Sequence, residues 1–229
     1  MDKSPLLDEF LSLVNVDDFE NTYAQDIKGD TYFGLPLKTI VAAEKKLRTE
    51  KHSCLAYFSM EYGLATSVYN RFTSSRPLDP RNKTETQEVF SNYRLADYYF
   101  SLKMDSIIDL PIYSGGLGVL AGDTLKTMAD YRLPFVAIGI LWNTGYFRQK
   151  FWYKYGQMPE RINWDLRSYP GLIPLKNKVK ISLRNEDVYL RLWKYYVYSY
   201  THESVIPLIL LDANVEENKV LRLLFSGCC

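Results

Sequence analysis

Gly115, Gly116 and Gly118 lie within the stretch Ile112-Tyr-Ser-Gly-Gly-Leu-Gly-Val-Leu-Ala-Gly-Asp123. Glycines so closely spaced give a backbone free to adopt positive φ, with N–H groups that no side chain shields. A helix is predicted directly after them, over Val119–Arg132. Leu120, Thr124, Leu125, Met128 and Ala129 recur there at three- and four-residue spacing, with no proline among them. A glycine turn feeding a helix N-terminus presents unpaired donors and the positive end of the helix dipole, which suits a phosphate or sugar oxygen. The spacing is neither the dinucleotide pattern G-x-G-x-x-G nor the phosphate loop G-x-x-x-x-G-K-[ST]. A tight turn that merely opens a helix has the same residues. Two other polar positions stand beside apolar runs: Glu61, after Leu55–Met60, and the pair Arg148-Gln149 in the polar-aromatic turn Gly145–Lys150.

The elements that must position these residues follow from periodicity. Leu6–Val14 and Leu35–Arg48 are predicted helices, the second with Pro36 near its start, where a missing N–H costs nothing. Asp26–Thr31 between them is a polar turn. Leu55–Met60 and Phe135–Leu141 are short apolar runs that predict neighbouring buried strands of a mainly parallel sheet, with the Val119–Arg132 helix crossing before the second. Ser67–Glu85 has the composition of a surface loop, and Thr86–Met104 returns to helical spacing. Tyr153–Pro174 is loop-like, broken by Gly156, Pro159, Pro170, Gly171 and Pro174. Val179–Leu183 and Val188–Trp193 alternate strictly across Asn185-Glu186-Asp187, which predicts a β-hairpin with one buried and one wet face. Ile206–Leu211 is a further strand, ending at Asp212. The order defines an α/β fold with an antiparallel β flank over Lys178–Leu211.

Composition narrows the function classes. At 229 residues the chain can bury a sizeable core, and its 47% apolar and 24% charged residues are those of an ordinary globular protein. A net charge of +1 argues against nucleic acid as the main partner. No apolar run approaches the length of a transmembrane helix, and Met1-Asp-Lys-Ser-Pro5 does not read as a signal peptide, so a cytoplasmic protein without a membrane partner is expected. Cys54, Cys228 and Cys229 have neither metal-ligand nor disulfide-framework spacing, and no metal is expected. The 19 tyrosines, 11 phenylalanines and 4 tryptophans suit sugar-binding surfaces and cores alike.

Four stretches together carry a resemblance. They are Ala56-Tyr-Phe-Ser-Met-Glu-Tyr-Gly-Leu64, Tyr113–Asp123 with Thr124-Leu125-Lys126, Gly145-Tyr-Phe-Arg-Gln149, and Ile206–Asn218 with its Leu-Leu-Asp-x-Asn-x-x-Glu-Asn turn. In order and spacing they resemble the N-terminal part of the α-glucan phosphorylases, the glycogen, starch and maltodextrin phosphorylases, in their shorter bacterial type. The stretch from about 67 to 108 is longer than that family places between its first two motifs. The resemblance implies a Rossmann-like N-terminal domain of a two-domain (GT-B type) glycosyltransferase. Residues 1–54 are then an N-terminal helical segment, and 55–229 an incomplete Rossmann-like domain with an insertion-like 67–108. The C-terminal cofactor domain is expected to be absent.

The implied reaction uses pyridoxal phosphate and inorganic phosphate to release glucose 1-phosphate from an α-1,4-glucan. The cofactor's phosphate serves there as acid–base partner to the substrate phosphate. Glu61, Gly115, Gly116 and Leu117 are the implied catalytic residues, Glu61 orienting sugar or a basic group and Leu117 presenting its backbone near the glucose. Gly115, Gly116 and Gly118 form the phosphate and sugar loop, and Gly116 and Tyr62 face the cofactor. Asp123 caps the helix start or orients the loop. Arg148 and Gln149 line the entrance or make structural hydrogen bonds, and His52 and His202 match no motif. The intact enzyme leaves room for a homodimer. In the family the Schiff-base lysine lies far downstream, so none here is assigned to the cofactor. Leu221–Cys229 does not resemble the family, as expected of a truncated or frameshifted frame. Two alternatives remain: a non-catalytic carbohydrate-binding remnant, and a glycogen- or starch-synthase-like enzyme, against which Ser114 stands because that family places lysine or threonine before its glycines.

Overall fold

The computed structural model describes residues 5–14, 27–32, 35–50, 53–64, 110, 112–142, 148–160, 171–199 and 203–218. The expected loop at Ser67–Glu85, the helix at Thr86–Met104, both histidines and Leu221–Cys229 lie outside them. Helix α1 (Pro5–Val14) is followed by three two-residue strands, β1 (Ile27–Lys28), β2 (Thr31–Tyr32) and β3 (Leu35–Pro36), which pair antiparallel in that order. The polar turn expected over Asp26–Thr31 is thus the tip of a hairpin, with Gly29 at φ 59. Helix α2 (Leu37–Thr49) begins after Pro36 and buries Leu37, Ile40, Val41 and Glu44, an i, i+3, i+4, i+7 stripe whose last member is an acid.

Strands β4 (Leu55–Phe58), β5 (Phe135–Ile140), β8 (Ile173–Leu183), β9 (Glu186–Tyr198) and β10 (Val205–Asp212) form one sheet in the order β4-β5-β10-β9-β8. β4 pairs parallel with β5, Leu55 opposite Phe135, and β5 pairs parallel with β10. β10 with β9, and β9 with β8, pair antiparallel. Among the described residues the sheet is therefore mixed in equal parts, not mainly parallel, and the antiparallel portion lies at one flank of it as expected. Helix α3 (Gly116–Asp130) leads into β5 as the order of segments predicts.

Alternation along β9 divides the core. Tyr196 and Tyr198 join Phe10, Val14, Leu37, Ile40 and Val41 on the α1–α2 side. Trp193 and Val197 join Leu125, Ala129, Leu208 and Leu210 on the α3 side. A strand buried on both faces reads as a continuous apolar run, as β10 does.

Two expectations of burial are corrected. β4 is an edge strand among the described residues; Leu55 and Phe58 are 56% and 70% exposed, since only one neighbour shields them. The β8–β9 hairpin turns at Arg184-Asn185, both at positive φ as a two-residue turn of the primed type needs. Its β8 apolar face, Val179, Ile181 and Leu183, is nevertheless exposed while Val188 opposite Ile181 is buried, because β8 is the outermost strand of the sheet among the described residues. A third correction concerns Gly145–Pro174. Strands β6 (Arg148–Trp152) and β7 (Gly156–Glu160) form an antiparallel ribbon there, with Gly156 at φ 71 supplying the turn that loop-like composition concealed.

Among the described residues, the helices bury charge at two points. Glu44 on α2 accepts from Lys194 Nζ at 2.7 Å and from the Tyr196 hydroxyl at 2.8 Å, both on β9. Lys126 on α3 is 7% exposed, with its ammonium 3.8 Å from the Tyr198 ring centroid. Burial pulls that ammonium down to about 7, against a smaller opposing effect of Asp130. Between that value and the ordinary lysine range the unfolded chain binds a proton that the folded chain does not, so stability rises with pH across this window. Unfolding free energy measured by urea denaturation is expected to increase by on the order of a few kcal/mol from about pH 7 to about pH 9.5, and Lys126→Met should flatten that slope. An unchanged slope in the variant would show that Lys126 is not its source. No helix among the described residues is long and apolar enough to cross a membrane.

Candidate functional site

The chain leaves β4 at Phe58 and is at once tied down. Ser59 N donates to Ile138 O at 3.1 Å, and Ser59 Oγ donates to Glu61 O at 2.7 Å. Tyr62 then turns inward and is fully enclosed. Its hydroxyl donates to Tyr57 O at 2.9 Å and lies 3.1 Å from Ile138 O, and burial pushes its pKa well up. Its ring lies against Gly139 of β5, where an added Cβ would come within 2.7 Å of Tyr62 Cε2. Trp142 Nε1 completes the anchor by donating to Met60 O at 2.9 Å.

This anchor carries Glu61 to the glycine turn. One carboxylate oxygen accepts from Ser114 Oγ at 2.8 Å and the other from Ser114 N at 3.2 Å. Gly63 N donates to Gly118 O at 2.7 Å, joining the two segments through their backbones. The approach leaves no room for side chains: a Cβ on Gly118 would meet Tyr113 Cβ at 2.6 Å, and one on Gly63 would meet Val119 N at 3.1 Å. Gly115 and Gly116 differ, with nothing within 4 Å of where a Cβ would stand.

The turn itself is not the left-handed loop its composition suggests. Gly115 is extended, with φ 177, and the helix starts at Gly116, so Gly116, Leu117 and Gly118 form its first turn. Glycine is required at position 118 for closeness and not for φ. The α3 N-terminus has no side-chain cap, and its leading N–H groups are those an anion or a sugar oxygen can use. Leu117 and Leu120 are 67% and 60% exposed beside it.

The structure thus brings together Glu61, Gly115, Gly116, Leu117 and Gly118, with Glu61 acting on the turn through Ser114. Two oxygens accepting one bond each retain further lone pairs for a ligand hydroxyl. Tyr62 lies behind this wall, enclosed, so any ligand at the turn would be separated from its ring by the backbone. Asp123 is exposed and well inside α3, so the role of helix cap does not hold. Arg148 and Gln149 pair through their backbones with Glu160 and Pro159 at the open end of the β6–β7 ribbon. Ser114 and Gly63 are the site residues that periodicity and composition passed over; their place inside the two motifs was the available signal. The Leu-Leu-Asp-x-Asn-x-x-Glu-Asn stretch is structural. Asp212 holds Trp193 Nε1 and Asn214 N, and buried Asn218 bonds both ways with the Tyr189 backbone.

A carboxylate-held glycine turn at the start of a helix, beside a mixed sheet, defines an α/β protein whose candidate site lies at the end of a parallel strand. Curated relatives place it further. The chain is 34% identical over 135 residues to a glycogen phosphorylase of Mycobacterium tuberculosis, a match covering 53% of this chain and 14% of that protein. It is 36% identical over 115 residues to a maltodextrin phosphorylase of Thermococcus litoralis, covering 48% and 13%. It is 34% identical over 184 residues to a glycogen phosphorylase of Aquifex aeolicus, covering 76% and 23%. No family model matches. The chain corresponds to an N-terminal portion of the glycogen and maltodextrin phosphorylase family, and it spans less than a quarter of the length of these relatives.

Proposed function

We propose that this chain supplies the glycine-turn wall of an α-1,4-glucan phosphorylase. The observation that carries the reading is the uncapped N-terminus of α3, opened by Gly115 and Gly116 with no atom near their missing side chains and steadied by Glu61. In phosphorolysis a phosphate oxygen forms a bond to C1 of the terminal glucosyl unit while the C1–O4 bond breaks. The leaving oxygen takes a proton, and glucose 1-phosphate is released. Backbone donors at Gly116 and Leu117, oriented before the reaction, stabilise charge on the transferring phosphate or on sugar oxygens without reorganising. Glu61 is a positioning residue for that turn through Ser114, and the same carboxylate orients a sugar hydroxyl.

The resemblance brings pyridoxal phosphate as cofactor. Its phosphate supplies an acid–base partner to the substrate phosphate when it is bound. The donor set at the turn fits an anionic group of that kind, with Gly116 as the residue that would face it and Tyr62 supporting the wall from behind. The buried lysines described are committed elsewhere, Lys194 to Glu44 and Lys126 beneath Tyr198, so neither is assigned to the cofactor's aldehyde. A GT-B type Rossmann arrangement, a homodimer of the intact enzyme and a cytoplasmic setting belong to the same reading.

Titrating the isotopically labelled chain with inorganic phosphate and with glucose 1-phosphate is expected to shift the amide resonances of Gly116, Leu117 and Gly118. Resonances there that stay fixed at saturating ligand would reduce the turn to a helix start. Supplied with pyridoxal phosphate, phosphate and maltodextrin, the 229-residue chain should release no glucose 1-phosphate. A site assembled across two domains loses positioning and electrostatic stabilisation together when one is missing. Phosphate-dependent release by the chain alone would overturn the shared-site reading.

A further inference from the structure

At the opposite end of the parallel strands from the glycine turn, a cavity of about 210 Å³ lies between α2, the turn after α3, and the starts of β5 and β10. Ala43, Leu47, Pro134, Phe135 and Ile206 give it an apolar lining. Its rim is charged, and the charges are matched. Lys46 Nζ donates to Arg132 O at 2.6 Å and lies 4.0 Å from Glu50, while the Arg132 guanidinium pairs with Glu203 at 2.5 Å. Ser204 Oγ donates to Ala129 O.

The wall formed by Arg132 is held in a demanding conformation. α3 ends with Arg132 N donating to Ala129 O and Leu133 N to Met128 O, the pair of bonds that closes a helix through a left-handed residue. Arg132 takes that left-handed position, at φ 52, where glycine is favoured. The Lys46 bond to its carbonyl and the Glu203 bond to its side chain keep it there, so the rim is formed before any ligand arrives.

We propose that this cavity is a second binding site, for a small neutral and largely apolar molecule of one or two rings. The apolar lining rewards burial of such a body, and a cavity of this size accepts a ring. Matched rim charges decide against an anion, which would have to displace Glu203 from Arg132, and against a cation, which would compete with Lys46 for the same helix-end carbonyl.

Binding of 5-fluoroindole to the 229-residue chain, read by ¹⁹F resonance broadening, tests this. Ala42→Phe, an exposed lining position that the fold does not depend on, should weaken binding about tenfold or more, and Ala43→Leu should do so from inside the cavity. Phe151→Ser, which removes an exposed aromatic on the remote β6–β7 ribbon, should leave binding within about twofold. Benzoate should displace the probe at least about tenfold less well than indole does. Binding that survives both alanine substitutions, or that Phe151→Ser abolishes, would place the probe on the exposed surface and overturn the proposal. Benzoate binding as tightly as indole would overturn the neutral-ligand assignment.

Discussion

Glu44→Ala is expected to lower the free energy of unfolding by about 3–5 kcal/mol, a large share of what holds a domain of this size together. Glu44 is 6% exposed and stands where the α2 stripe calls for an apolar residue. It holds the Lys194 ammonium, 8% exposed, and the Tyr196 hydroxyl, whose proton burial first and Glu44 second make hard to remove. Deleting the carboxylate strands a buried cation and a buried hydroxyl together, and it is this orphaning, more than the attraction lost, that destabilises. The double variant Glu44→Leu with Lys194→Met removes both charges and should recover most of the loss. Urea denaturation followed by circular dichroism reads both. A single variant as stable as the parent would mean that the pair contributes nothing, and a double variant no better than the single would mean that packing, not charge, is at stake.

Two glycines of one turn should respond oppositely to the same methyl group. Gly118→Ala is expected to destabilise the fold by about 1–3 kcal/mol, because its Cβ would stand 2.6 Å from Tyr113 Cβ and press on Glu61. Gly116→Ala should change stability by less than about 1 kcal/mol, since its Cβ meets open space and alanine suits a helix. In an intact enzyme built by joining this chain to the remaining portion of a relative, Gly116→Ala should still lower kcat more than about tenfold, roughly 1.4 kcal/mol of transition-state stabilisation. The methyl group would stand where the backbone donors meet phosphate or sugar. Stability is read by thermal unfolding and turnover by glucose 1-phosphate release. Parental turnover in Gly116→Ala would identify the turn as structural only.

The same glycines show what was legible before folding. Their clustering ahead of a helical period marked the turn that opens α3, and Glu61 at the end of an apolar run marked the carboxylate that meets it through Ser114. Which glycine serves which purpose was not legible. Gly118 is needed because Gly63 and Glu61, more than 50 positions earlier, press against it, and no local pattern encodes that approach. The freedom to adopt positive φ is not used at this turn: Gly118 is small for the sake of contact, and the described glycines at positive φ are Gly29, Gly156 and Gly171.

Period and punctuation by themselves determined α1, the body of α2, α3, β5, the β8–β9 hairpin and β10, because side-chain alternation and helical spacing are properties of neighbouring residues. They also determined, by motif, the kinship with the glycogen and maltodextrin phosphorylases. Pairing belongs to the tertiary structure. That β10 lies between β5 and β9, making the sheet mixed, and that β4 is at an edge among the described residues, depend on which strands meet, whereas alternation records only which face of a strand is apolar. Glu44 finding Lys194 across 150 positions, and Arg132 holding a left-handed turn between Lys46 and Glu203, are likewise decided only in the fold. A charge in an apolar stripe is a local anomaly until the folded chain brings it a partner.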